Sequence, residues 1–218
     1  MKRSLPRYSY IPMLSMLLLN ILAFYGTRLL NRSWHHISVT TELDALIPLV
    51  PAAVTVYIFA YVTWVVGYGV IARDSESLSY EVFSGELIAK LITMACFLAL
   101  PTIMERPELM GDDLFSQMLG LIYKLDTPDN LFPSVHCLES WIVFRGALRC
   151  KKATPGYKIA AGVAAVLVFA STLLVKQHVV LDVVGAVVIG ELGLWLGRKL
   201  RTGRILAWLN KRLSMTEP

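Results

Sequence analysis

The chain has 218 residues, of which 56% are hydrophobic and only 17% charged, with a net charge of +5 and a mean hydropathy of +0.58. A water-soluble domain is about a quarter charged. This composition therefore excludes an ordinary soluble fold and selects an all-α integral membrane protein of one transmembrane domain, residues 1–218. The basic balance is assigned to cytoplasmic loops facing anionic lipid rather than to nucleic acid.

In chain order, the first apolar run covers about 11–30 and follows Lys2, Arg3 and Arg7. It is long for a signal peptide and no clear small-residue cleavage site follows, so it reads as a retained helix. Further runs at about 46–72, 87–104, 134–148, 159–175 and 179–196 predict a six-helix bundle. The 134–148 run falls short of the roughly 20 residues a span needs, so it is expected to begin at the membrane boundary. The long loop 105–133 contains an apolar stretch, 114–125, that is too short to cross. It reads either as an interfacial helix or as a loop packed on the bundle. Residues 204–213 suggest an amphipathic surface helix anchored by Trp208. No internal repeat is evident.

The basic residues orient the bundle. Lys2, Arg3 and Arg7, the 145–158 loop with Arg145, Arg149, Lys151, Lys152 and Lys158, and the tail from Arg198 to Arg212 fall on one side. That side is read as cytoplasmic and holds both termini. The loop from Arg73 to Glu86 falls there too, although it is acidic. Arg106, His136, His178 and Asp182 then share the outer face.

Two polar islands carry the chemistry. One is Phe132-Pro133-Ser134-Val135-His136; the other runs from Ser171 through Lys176 and His178 to Asp182. His178 and Asp182 are spaced i, i+4, which is one helix face. A carboxylate on one imidazole nitrogen fixes the tautomer and makes the other nitrogen more basic. Such a histidine can attack phosphorus, and His136 is the candidate acid for the departing oxygen. Ser134, at the start of a helix, can help hold phosphate. Arg106, and Lys176 as a second cation, can neutralise its oxygens. The competing readings are plain ones: Arg106 as a topology anchor, His35 and His36 as interface residues, and Cys96, Cys137 and Cys150 as unrelated thiols. Zinc on His136, His178 and Asp182 is the rival chemistry, disfavoured by Arg106 and Lys176. No metal and no cofactor is expected.

Arg106-Pro107, Pro133-Ser134-Val135-His136, and Ser171-Thr172 with His178 and Asp182 resemble the three signatures of the type 2 phosphatidic acid phosphatases. Those signatures run roughly K-x6-R-P, P-S-G-H and S-R-x5-H-x3-D, and the resemblance covers about 101–190. Ala99, Val135 and Thr172 stand where the family has lysine, glycine and arginine. The F-P-S-x-H form is closer to the branch of inositol phosphorylceramide synthases and sphingomyelin-synthase-like proteins. The resemblance implies His178 as nucleophile, Asp182 as its partner, His136 as acid, and Arg106, Ser134, Ser171 and Lys176 around the phosphate. It implies a phospholipid or polyprenyl phosphate as substrate, taken from the outer leaflet of the plasma (inner) membrane. A transporter with a buried His/Asp proton relay, or a scaffold with a degenerate site, are the alternatives.

Overall fold

Prolines and hydroxyl or carboxylate caps set most helix boundaries. The structure, a computed structural model, describes residues 5–214, so the expected basic residues Lys2 and Arg3 lie outside the described residues. Five helical stretches are long and apolar enough to cross a bilayer: Arg7–Asn31, Pro51–Asp74, Glu76–Ala99, Pro155–Leu174 and Val180–Lys199. The first is a 3-10 turn (Arg7–Ser9), α1 (Tyr10–Ile21), a π turn (Leu22–Gly26) and α2 (Thr27–Asn31). Their outer faces expose Leu14, Leu18, Val62, Val66, Val163 and Val188. Apolar exposure on this scale is unfavourable in water and ordinary in lipid. The chain thus has the character of a helical integral membrane protein.

The second run does not form one helix from residue 46. Pro48 and Pro51 lack the N–H a helix needs and disfavour helix before them. The chain forms the short α3 (Glu42–Leu46), then starts α4 (Val54–Asp74). The expected acidic loop 73–86 is also absent. Ser75 caps α5 (Glu76–Ala99), its hydroxyl accepting from Leu78 N–H at 3.3 Å. The polar residues that suggested a loop, Ser79, Ser84 and Glu86, are buried on an inward face of this helix. Pro101 follows the end of α5, and β2 (Thr102–Ile103) pairs in parallel with β1 (Ile37–Ser38).

The 114–125 stretch is α6 (Leu114–Leu125), capped by Asp113 and lying across the ends of α4 and α8 through Leu119, Tyr57 and Val175. α7 (Val135–Arg149) has 15 residues, or about 22 Å. That is short of a hydrocarbon core of about 30 Å. It is enclosed by α4, α5, α8 (Pro155–Leu174) and α9 (Val180–Lys199). α10 (Gly203–Ser214) is the expected amphipathic helix, with Trp208 exposed and Asn210 donating to Tyr80 Oη at 2.8 Å.

Small residues bring α5 and α9 together. A Cβ at Gly193 would lie 2.6 Å from the Gly85 carbonyl oxygen and 2.7 Å from Ala89 Cβ, and one at Gly197 would lie 2.8 Å from Gly85 Cα. Close backbone approach of this kind is how membrane helices associate without a hydrophobic driving force. It fixes α9, and with it the second polar island, against the bundle.

The two ends of the bundle differ. At one end Tyr8 Oη donates to the Ala72 carbonyl (2.5 Å), Arg149 pairs with Glu81, and Lys152 N–H donates to Asp74 (2.8 Å). The basic 145–158 segment and the tail begin here. At the other end lie the starts of α4, α7 and α9, the ends of α5 and α8, and both polar islands.

Candidate active site

The local geometry of His178 is set by how α8 stops. Val175 ends the helix and Lys176 adopts a left-handed conformation (φ 53°). Gln177 N–H bonds to Thr172 O (3.0 Å) and Lys176 N–H to Leu173 O (3.1 Å). This is a Schellman stop, with lysine where glycine is usual. His178 N–H is also held on Thr172 O, at 3.2 Å. The imidazole Nδ1 lies 3.1 Å from Asp182 Oδ2, and the same oxygen accepts Val179 N–H at 3.0 Å. The i, i+4 spacing therefore works through the capping turn of α9, not along one helix face: His178 precedes Val179, the cap residue. Asp44 of α3 adds a second carboxylate here, taking Val180 N–H at 2.7 Å. Burial pushes its pKa up, but the bonds from Val180 and Thr41 and the charge of Lys176 outweigh that and hold it below the usual carboxylate value.

The first island meets this turn directly, Ser134 N–H donating to Asp182 O at 3.2 Å. Ser134 is fully buried and caps α7, its Oγ accepting Cys137 N–H at 3.3 Å. The His136 ring stacks on Tyr57 at 4.1 Å and 22°, with Tyr61 edge-on and Trp64 tilted beside it. Its Nε2 is buried and has no hydrogen-bond partner among protein atoms.

Arg106 reaches in from the loop before α6. Its guanidinium lies 4.5 Å over the Tyr123 ring, donates to Asp126 O at 2.6 Å, and bonds Gln177 Oε1. Burial lowers its pKa, opposed by the charge of Asp126. Its Nε, like Gln177 Nε2, is buried with no protein partner. Asp126 accepts from Tyr57 Oη at 3.1 Å. Burial raises its carboxyl, while His178, Arg106 and Tyr57 pull it down. Asp126, Tyr57 and His136 are thus successive neighbours, and the charge of His178 acts on Asp126.

The remaining candidates sit differently. α8 ends at Leu174, so Lys176 lies beyond the helix that carries Thr172. The Lys176 ammonium instead donates to the carbonyls of Asp44 (2.9 Å) and Ile47 (2.5 Å). Ser171 is buried and its hydroxyl donates to Val168 O at 2.8 Å. Among the described residues no three His, Cys, Asp or Glu side chains form a metal-ligand group. Sequence reasoning missed Asp126, Gln177, Asp44 and the aromatics of α4. Tyr57, Tyr61, Trp64 and Tyr68 recur at spacings of four, three and four, a helical stripe that marks one face. Compared with known proteins, the chain matches no family model, no curated protein and no solved structure.

Proposed function

We propose that the protein is an integral-membrane lipid phosphatase or phosphotransferase of the type 2 phosphatidic acid phosphatase kind. The observation that carries this reading is a set of three buried nitrogens without protein partners: Arg106 Nε and Gln177 Nε2, whose side chains bond each other next to the His178–Asp182 pair, and His136 Nε2, on the helix that the Ser134–Asp182 bond ties to the same turn. Buried donors left unmatched are costly, and a phosphate offers oxygens to several at once.

In this reading Asp182 holds the Nδ1 proton of His178 and leaves Nε2 as the nucleophile. Nε2 attacks phosphorus as the bond to the lipid oxygen breaks, and His136 supplies the proton to that oxygen. Water or an alcohol then attacks the phosphohistidine, His136 takes its proton back, and the N–P bond breaks. Arg106 stabilises charge on the phosphoryl oxygens. A groove of about 250 Å³ between α4, α7 and α8 includes Ser140, one turn along α7 from His136. A lipid chain in that groove would bring its headgroup to the site from the side.

The bundle is read as six crossings, α7 included, with the polar islands at the extracytoplasmic end and both termini cytoplasmic. Support comes from Arg149, Lys151 and Lys152, which collect at the end opposite the islands. The membrane is taken to be the plasma (inner) membrane. Purified protein should release phosphate, or transfer it to an alcohol, from a panel of phosphatidic acid, phosphatidylglycerol phosphate and polyprenyl pyrophosphate. Absence of turnover on every member would remove this reading.

A further inference from the structure

Between the site and the basic end, three charged side chains are sealed inside the bundle. Glu86 and Lys90 lie on α5 and Glu139 on α7, and none is more than 1% exposed. Lys90 Nζ stands 2.7 Å from Glu86 Oε1, 2.8 Å from Glu139 Oε1 and 3.1 Å from the Met16 carbonyl. Three N–H groups meet three acceptors. Asn20 of α1 donates to Glu139 Oε1 at 2.8 Å. From α4, the Tyr68 hydroxyl bonds Glu86 Oε1 at 2.8 Å and also Glu139 Oε2. α9 packs on both α5 and α7 but has its carboxylates elsewhere, Asp182 with His178 and Glu191 with Arg145.

Two separate counts come out one proton short. By charge, one ammonium faces two carboxylates, and a lone negative charge at this depth is far more costly than a neutral acid. By hydrogens, the Tyr68 hydroxyl has one proton and lies in bonding contact with two carboxylate oxygens. It can donate to only one, so the other must donate to it. A proton on Glu139 Oε2 satisfies both counts: Glu139 donates to Tyr68, and Tyr68 donates to Glu86, the carboxylate nearest Lys90. The chain also runs in reverse, with the proton on Glu86.

We propose that Glu86, Glu139 and Tyr68, poised by Lys90, form a buried binding site for a single exchangeable proton. The ammonium stands where a metal cation would have to sit, which leaves the proton as the ligand. Glu139 lies three residues along α7 from His136, and Tyr68 continues the α4 stripe that packs on that histidine. Protonation is therefore placed to alter the α4–α7 seam on which the candidate active site is built, whatever that site's substrate.

Infrared difference spectroscopy on the purified, solvent-exchanged protein tests this. At neutral pH the wild type should show a protonated-carboxyl stretch that Glu139→Gln removes and Glu86→Gln also removes. Either change leaves one carboxylate balanced by Lys90. Lys90→Met should add a second protonated carboxyl, doubling the band. Absence of any wild-type band removed by Glu139→Gln, or an unchanged band in Lys90→Met, would overturn the proposal. Should Lys90→Met fail to fold, wild-type protein isotope-labelled at the glutamate carboxyl carbons gives the same count by NMR. One protonated glutamate sensitive to Glu139→Gln is expected; none would overturn it.

Discussion

The change Asp182→Asn probes the orienting pair most closely. The side chain is fully buried, and a single oxygen, Oδ2, serves both Val179 N–H at 3.0 Å and His178 Nδ1 at 3.1 Å. An asparagine that keeps the helix cap must put its carbonyl oxygen in that place. It then still accepts the Nδ1 proton, so the tautomer survives. Only the charge is lost. Hydrogen bonds to charged groups contribute about 1.5–3 kcal/mol and neutral ones about 0.5–1.5, so the loss should be about 1–2 kcal/mol. That corresponds to roughly a 5- to 30-fold fall in kcat/KM. In serine-protease triads, where the amide imposes the wrong tautomer, the same change costs about 10⁴. Asp182→Ala removes both bonds and should cost more activity, together with about 1 kcal/mol of capping stability. The assay is phosphate release from the phospholipid turned over fastest, with Tm followed in the same detergent. A 10⁴-fold fall in Asp182→Asn would refute the shared-oxygen geometry. Wild-type kcat/KM in Asp182→Ala would refute the pairing itself.

Four further outcomes are expected. Lys176→Ala should lower Tm, through lost bonds to the Asp44 and Ile47 carbonyls worth roughly 1–3 kcal/mol in all, while kcat/KM stays near wild type; the opposite pattern would place the ammonium on the phosphate. Gly193→Val should destabilise by about 3 kcal/mol or more, read from detergent melts, because its Cβ would meet the Gly85 carbonyl at 2.6 Å; a variant as stable as wild type would contradict the α5–α9 crossing. Asp44 has a lowered folded-state pKa, so its contribution is complete above about pH 4 and is lost as pH falls through the folded value; Asp44→Asn should melt lower than wild type at pH 6, and the gap should close in acid. Activity should persist in excess EDTA, since the mechanism draws on Arg106 rather than a cation; loss with chelator and recovery with zinc or magnesium would contradict that.

The spans were legible because lipid demands long apolar runs, and the His178–Asp182 pair because its two partners lie four residues apart. Helix ends were less so. Pro48 and Pro51 could have been used to split the second run, but Ser75 hides a helix start inside what reads as an acidic loop. Glu86, Lys90 and Glu139 look like surface residues in a one-dimensional pattern, and only packing makes them interior. The placement of Lys176 was hidden for a similar reason. Its charge and position beside Gln177-His178 suggest phosphate, whereas its backbone stops α8 and its ammonium closes α3. Asp126 and Gln177 come from segments with no periodic signal. Their roles arise from where α6 ends and where the Schellman turn points.

The central claim is that His178 carries the phosphoryl group. The direct measurement is rapid alkaline quenching of purified protein mixed with terminally radiolabelled phosphatidic acid, phosphatidylglycerol phosphate and polyprenyl pyrophosphate, followed by mapping of the bound label. An acid-labile, base-stable phosphoryl group is expected on the peptide containing His178 and is absent in His178→Ala. Turnover without labelled protein, or label that persists in His178→Ala, would contradict it.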